Sequence, residues 1–380
     1  MLTAFDAAQM ARALELAARG RYACRPNPAV GCVLTREGRV LAEGFHARAG
    51  EAHAEISALA ALAPGQTARG ATCYVTLEPC VHHGRTGPCA EALVEAGVAR
   101  VVYAVTDPNP LVAGGGLARL AAAGVTVDGP LMAPQAMALN AGFFMRMRTG
   151  RPRVVAKVAL SLDGAMALAD GQSQWITGPA ARADGQRLRA QAGAIITGIG
   201  TVMADDPALT VRDARFVDQI PSPPLRVVLD RRLRLSPAAR IAMTGDAPTR
   251  VFVSSSHSDP QGAAQAALEA RGVQVTRLPA LTPEGVLQAL GEAQINDVLL
   301  EAGPTLTAAF LDAGIIDELV AYRSGCLLGA GALPGLVPAA PSTLAAASRY
   351  KPLDCRWVGS DLRTRYLPPA EQDAEVRRGL

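Results

Sequence analysis

His53, Glu55, Cys80 and Cys89 are the residues of this chain whose types and spacing speak most directly of chemistry. His53 and Glu55 stand in Glu51-Ala52-His53-Ala54-Glu55, and Cys80 closes Thr76-Leu77-Glu78-Pro79-Cys80. Cys89 follows after a polar, glycine-bearing stretch of eight residues. One imidazole and two thiolates suit Zn²⁺, and three protein ligands leave a position for water. The metal lowers the pKa of that water and makes a nucleophile at neutral pH. Each of the three donors falls where a strand or loop feeds a helix, a setting that favours thiolate. Glu55, two residues past His53, need not bind the metal and is free to move protons. The competing reading is a closed structural site with His82, His83 or Cys73 as fourth ligand, but such a site has no use for Glu55.

A second set lies in the other half. Lys157 interrupts an apolar run at 153–160, and an ammonium rarely sits in such a strand unless it is paired or used. The run leads into Ser161-Leu162-Asp163-Gly164. Downstream, Glu301-Ala302-Gly303-Pro304-Thr305 follows an apolar strand and opens a helix, where glycine lets backbone N–H groups approach a phosphate. No G-x-G-x-x-G follows a strand, so this is not a Rossmann fingerprint. Gly329, Gly331 and Gly335 have the wrong spacing for one and read as loop.

Elements that position these residues can be read from periodicity. A helix over 4–18 precedes a hairpin of runs 30–35 and 40–43. Helix 53–62, strand 72–77, helix 88–96, strand 101–105, helix 117–123 and strand 125–127 follow, a three-layer α/β pattern. The basic, Gly- and Pro-bearing stretch 146–152 marks a boundary. It divides a first domain, 1–149, from a second, 150–380. The second reads as α/β with a largely buried sheet: strands at 153–160, 194–197, 225–229, 250–254, 273–277, 297–301 and 317–322, and helices at 179–191, 261–271, 283–292 and 304–313.

Composition agrees with this division. A chain of 380 residues exceeds one ordinary core. Its net charge of +3 argues against a dedicated nucleic-acid surface. No apolar run reaches membrane-spanning length, and the N-terminal segment lacks a signal-peptide pattern. Seven cysteines without framework spacing imply a cytoplasmic protein with reduced or metal-bound thiols.

His-x-Glu followed by Pro-Cys is the signature of zinc nucleobase deaminases, although those have Cys-x-x-Cys where this chain has a longer gap. With Gly44-Phe45-His46, the stretch from Glu78 through Cys89, Asp107-Pro108-Asn109-Pro110 and Arg25-Pro26-Asn27-Pro28, the first half resembles the bifunctional deaminase–reductases of riboflavin biosynthesis. The longer gap is that family's own variant. Ser173-Gln174-Trp175-Ile176-Thr177, Gly198-Ile199-Gly200-Thr201, the run from Ala204 to Arg212, and Glu301 to Thr305 extend the resemblance to the second half. It covers about residues 4–366. Departures are mild: Cys24, Val81, Ala52 and Gly87 stand where the family commonly has Thr, Ser, Pro and Pro. Ser324-Gly325-Cys326 replaces a common Ala-Pro-containing stretch.

The resemblance implies a cytidine-deaminase-like α/β/α domain followed by a dihydrofolate-reductase-like α/β domain. It implies zinc held by His53, Cys80 and Cys89, Glu55 as proton shuttle, and Asn27, His46, His82 and Asn109 against the substrate. In the second domain it implies Ser173, Arg189, Leu209, Arg212 and Glu301 around a sugar phosphate. Ala159, Trp175, Thr201, Asp205 and the loop Gly303, Pro304, Thr305, Leu306, Thr307, Ala308 and Ala309 would hold NADPH. Lys157 and Asp205 would lie near the hydride-transfer centre. The implied reactions are deamination of 2,5-diamino-6-(5-phosphoribosylamino)pyrimidin-4(3H)-one and reduction of the product's ribosyl side chain to ribityl. The partners are small molecules and a second copy of the chain or more, with no nucleic acid and no membrane. Arg231, just past a strand end, is placed to meet a 2′-phosphate. Competing readings are a nucleoside or tRNA deaminase with an appended nucleotide-binding domain, and a zinc-stabilised scaffold.

Overall fold

The computed structural model describes residues 1–81, 87–110, 112–243, 245, 247–257 and 262–369. It contains two compact units, Met1–Arg148 and Thr149–Leu380. Among the described residues no helix is long and apolar enough to cross a membrane.

In the first unit, α1 (Ala4–Gly20) starts at a capping box between Thr3 and Asp6. Strands β1 (Gly31–Arg36) and β2 (Arg39–Phe45) form the expected hairpin. Its turn residues Glu37 and Gly38 both have positive φ, 52° and 75°, as a type I′ turn requires. After α2 (Ala54–Ala60), β3 (Thr72–Val75) pairs antiparallel with β1. Helix α3 (Cys89–Glu95), β4 (Arg100–Tyr103), α4 (Gly115–Ala122), β5 (Thr126–Asp128), α5 (Ala133–Leu139) and α6 (Ala141–Thr149) complete the run. The sheet order is β2-β1-β3-β4-β5.

Side chains alternate across a strand, and the two cores follow from that. Cys32, Leu34, Cys73, Val75 and Val101 face Ala54, Ala58, Ala90, Leu93 and Leu120 of α2, α3 and α4. Val33, Tyr74 and Val102 face Met10, Ala13 and Leu16 of α1, with Phe143 and Phe144. Helices therefore cover both faces, which is the three-layer arrangement of a cytidine-deaminase-like domain.

The second unit runs β6 (Arg153–Leu160), β7 (Ala165–Ala167), α7 (Pro179–Gln191), β8 (Ala194–Gly198), α8 (Ile199–Asp205), α9 (Ala214–Val217), β9 (Leu225–Leu229), α10 (Arg240–Met243), β10 (Thr249–Ser254), α11 (Ala263–Glu269), β11 (Val273–Leu278), α12 (Pro283–Glu292), β12 (Asp297–Leu300), α13 (Pro304–Asp312), β13 (Glu318–Arg323), β14 (Leu333–Pro334), β15 (Lys351–Val358) and β16 (Asp361–Leu367). Its main sheet has nine strands, ordered β11-β10-β9-β8-β12-β6-β13-β16-β15. All neighbours are parallel except at the β13, β16 and β15 edge. One face packs Val154, Ala156, Ile196 and Leu300 on Val286, Leu290 and Phe310 of α12 and α13. The other packs Ile195, Val228 and Leu299 on Leu188, Ile199 and Val202 of α7 and α8.

The sequence reading lacked α5, α6, α8, α9, α10, β7 and β14, and two further features depart from it. Strand β6 is not buried throughout but alternates fully and partly buried residues. Of its partly buried positions, Lys157 and Ala159 open toward a cavity, while Val155 packs on the core and Arg153 pairs with Glu318. The hairpin of β15 and β16 was not expected. It mixes apolar and charged residues, and its arginines tie it to the rest of the unit through ion pairs. Arg363, 1% exposed on its side chain, reaches Asp184 of α7 at 3.0 Å and Asp354 of β15 at 2.6 Å.

Candidate active sites

His53 is the residue before α2, Cys89 the first residue of α3, and Cys80 lies on the segment after β3. His53 Nδ1 stands 3.3 Å from Cys89 Sγ and 3.7 Å from Cys80 Sγ. All three donor atoms lie within 4.8 Å of one another. A tetrahedral zinc with bonds of about 2.0–2.3 Å separates its ligand atoms by roughly 3.3–3.8 Å. The trio therefore fits that ion in both chemistry and spacing. Among the described residues the cluster has these three donors and no fourth. Cys73, the candidate fourth ligand for a closed site, lies in the core with its Sγ 3.4 Å from that of Cys32. His82 and His83 lie outside the described residues.

Hydrogen bonds from Cys89 and His53 hold the Cys80 thiol down to about 4, against the opposing effect of burial. The Cys89 thiol is pushed the other way, well up, by its hydrogen bond with Cys80 and by burial. Glu55 is buried in the first turn of α2. Burial pushes its carboxyl up to about 7, and the neighbouring Cys80 pushes the same way. A carboxyl near neutrality is matched to taking and returning a proton at that pH.

His46 is buried with its ring edge-to-face against His53, centroids 5.4 Å apart. Its Nδ1 meets the Ala52 carbonyl at 3.1 Å, and its Nε2 meets Asn27 Nδ2 at 3.2 Å. A carbonyl only accepts, so Nδ1 carries the proton and Nε2 accepts from the Asn27 amide. Burial lowers the His46 pKa, in keeping with this neutral ring. Both ring nitrogens are thereby engaged by the protein, which suits His46 to orienting Asn27. Asn109 lies on the segment between β4 and α4, its N–H donating to Asp107 Oδ1 at 2.8 Å.

In the second unit a cavity of about 1030 Å³ opens where β6, β8 and β12 end. Lys157, Ser173, Arg189, Leu209, Arg212 and Glu301 line it. Ala159, Trp175, Thr201, Asp205, Gly303, Pro304, Thr305, Leu306 and Ala309 line it too. Two expected residues do not: Thr307 and Ala308 are buried away from it. The segment from Pro304 forms the first turns of α13, the helix expected over 304–313, and the helical period turns those two residues inward.

Within the cavity Arg189 grips Glu301 in a two-pronged pair, Nε to Oε1 at 2.7 Å and Nη2 to Oε2 at 2.9 Å. Burial alone would raise the Glu301 carboxyl. The guanidinium, with Lys157 beside it, instead brings it down to about 2. Burial lowers the Lys157 pKa and Arg189 lowers it further, while Glu301 opposes both. A depressed ammonium gives up its proton more readily. Arg189 also donates to the Thr210 carbonyl at 3.1 Å, fixing the loop on which Leu209 adopts φ 47°. Ser173 Oγ donates to Asp205 Oδ1 at 3.4 Å, and Gly303 N–H to Thr201 Oγ1 at 3.1 Å.

Sequence reasoning did not single out Arg182, which lies over the Trp175 ring at 4.4 Å from its centroid. Nor did it single out Arg234 and Arg240, which line the cavity together with Arg231. The signal for Arg234 was present in Arg231-Arg232-Leu233-Arg234 at a strand end, but a cationic run is usually a solvated face.

A family model described as the cytidine and deoxycytidylate deaminase zinc-binding region matches residues 4–105. The RibD C-terminal domain model matches residues 152–362. The riboflavin biosynthesis protein RibD of Escherichia coli K12 is 46% identical over 378 residues, covering 94% of this chain and 98% of that protein. The chain belongs to the RibD family. RibD of Haemophilus influenzae is 42% identical, covering 96% and 97% of the two chains. Among solved structures, Acinetobacter baumannii RibD superposes with a TM-score of 0.88 at 45% identity, covering 96% of this chain and 99% of that one. A Thermotoga maritima diaminohydroxyphosphoribosylaminopyrimidine deaminase/5-amino-6-(5-phosphoribosylamino)uracil reductase superposes at 0.84 with 32% identity and the same coverage. The resemblance read from the motifs is borne out. Like other RibD proteins, the chain is an enzyme that joins a zinc-binding deaminase domain to a reductase domain related to NADPH-using reductases.

Proposed function

We propose that residues 1–149 hydrolytically deaminate 2,5-diamino-6-(5-phosphoribosylamino)pyrimidin-4(3H)-one. Residues 150–380 then reduce the ribosyl chain of 5-amino-6-(5-phosphoribosylamino)uracil to ribityl, two steps of riboflavin biosynthesis. The observation that carries the reading is the trio His53, Cys80 and Cys89, three donors at zinc spacing with Glu55 buried beside them.

When bound by this trio, zinc supplies a water acidified enough to attack at neutral pH. Glu55 would take up a proton from the attacking water and return one to the departing ammonia. Asn27, oriented by His46, and Asn109 place the pyrimidine, and His82 joins them by resemblance.

NADPH supplies the hydride in the second step. Ala159, Trp175, Thr201, Asp205 and the start of α13 hold it, and Arg231, Arg234 and Arg240 give its 2′-phosphate a cationic end of the cavity. Ser173, Arg189, Leu209, Arg212 and Glu301 would hold the sugar phosphate, with Arg189 and Glu301 fixed on each other. Lys157 neutralises and protonates the oxygen that gains charge as the ribosyl carbonyl is reduced. Asp205 lies near the same centre.

The reading includes a cytoplasmic setting, supported by seven free cysteines. It also includes a homodimer or larger assembly, supported by Leu353 and Trp357 exposed on the edge strand β15. Light scattering tests the assembly. The test of function is metal analysis together with turnover of the diaminopyrimidine phosphate, with and without NADPH. Zinc at one per chain, ammonia release without NADPH, and NADPH oxidation only after deamination are the expected results. Ammonia release from cytidine or tRNA instead would overturn the reading.

A further inference from the structure

Glu78 is a buried carboxylate that the mechanism above does not use. It lies two residues before Cys80, and its own N–H is tied to the Val105 carbonyl at 3.0 Å. Its side chain gathers four backbone N–H groups from one distant segment. Oε1 accepts from Gly116 at 2.9 Å and Leu117 at 3.4 Å. Oε2 accepts from Gly114 at 3.0 Å and Asp107 at 3.2 Å. Three of those donors are at the start of α4, where N–H groups have no partner within the helix.

The segment is shaped to receive this carboxylate. Gly114 has φ 80°, a conformation that side chains resist. A Cβ on Gly116 would fall 1.9 Å from the Pro79 carbonyl oxygen. The backbone of 114–116 therefore lies directly on Glu78-Pro79, and glycine permits the approach. Asn109 sits inside the span that Glu78 pins at both ends, at Asp107 and at Gly114. Within that span the Asn109 carbonyl accepts from Val112 at 2.8 Å and Ala113 at 3.0 Å.

We infer that Glu78 is a positioning residue for deamination. One short stretch presents Cys80 to the metal and, through Glu78, sets the register of the Asn109 segment against that metal. The inference rests on the reading that Asn109 meets the substrate. A carboxylate with four donors suits this task because each hydrogen bond to a charged acceptor is stronger than a neutral one. A glutamine keeps the shape but turns an NH₂ group toward two of the donors.

The test uses the full-length, zinc-loaded protein. Glu78→Gln should raise the KM for the diaminopyrimidine phosphate about ten- to a hundredfold, the scale on which misplacement of a contact is felt. It should leave zinc stoichiometry and NADPH oxidation on the deaminated substrate unchanged. Amide exchange of the peptide 107–117 should accelerate in the variant. Gly116→Ala, which displaces the same turn without altering the carboxylate, should reproduce both effects and carries the test should Glu78→Gln fail to fold. Zinc lost in step with activity, or KM and amide exchange both unchanged, would overturn the inference. If the wild-type enzyme does not turn over this substrate, the functional reading fails, and amide exchange alone then decides for or against the Glu78 anchor.

Discussion

Arg189 and Glu301, 112 residues apart in sequence, meet through two parallel hydrogen bonds in the lining of the reductase cavity. Each side chain is only 14% exposed. Breaking a buried pair by removing one partner leaves an uncompensated charge, which costs about 3–5 kcal/mol. Arg189→Met should destabilise the second unit by about that amount in urea unfolding and abolish NADPH oxidation. Near-wild-type stability would show that Glu301 finds another partner.

The same pair sets a pH dependence. The Glu301 carboxyl sits near 2 when folded, below its ordinary value of 4.5. Its contribution to stability is therefore complete above the unfolded value and is lost as pH falls toward the folded one. Glu301→Gln should flatten the acid limb of the stability curve in that window. A limb as steep as the wild type's would assign the acid sensitivity to other carboxylates.

Glu55→Gln should lower deamination about 10²- to 10⁴-fold, the usual weight of a positioned proton shuttle. Zinc content should be unchanged, since the trio does not include Glu55. Substantial residual turnover would transfer the proton work to another group.

Chelation, or Cys80→Ser, should stop ammonia release while NADPH oxidation on deaminated substrate continues. The two sets of site residues fall in separate units, Met1–Arg148 and Thr149–Leu380. Parallel loss of both activities would contradict that independence.

Replacing Arg231 and Arg234 together by alanine should weaken NADPH binding about tenfold, as expected for loss of charge-assisted contacts to a phosphate, and leave NADH binding unchanged. Titration by cofactor fluorescence distinguishes the two. An equal loss for both cofactors would place the arginines elsewhere on the dinucleotide.

The metal trio was legible because its chemistry is written in short motifs, and each motif sits at a boundary between elements. Lys157 was legible for the opposite reason, a charge inside an apolar strand. The engagement of His46 with Asn27 was not legible, because those residues meet through folding and share no local pattern. Thr307 and Ala308 were placed against the cofactor with the whole of 303–309, although a helix over 304–313 was expected and its period decides which side chains face the cavity. The terminal hairpin escaped notice because ion pairs with Asp184 and Glu318 stabilise it, and periodicity is blind to partners so far along the chain.

Strand β6 is clasped between β12 and β13, with Lys157 abreast of Val320. Deleting one residue ahead of position 157 would put Val158 where the ammonium belongs, adding one would put Ala156 there, and either change would drive the ammonium into hydrocarbon. Length variation among kindred proteins should consequently be absent from 153–157 and gather in stretches such as 329–347, where nothing downstream must keep count.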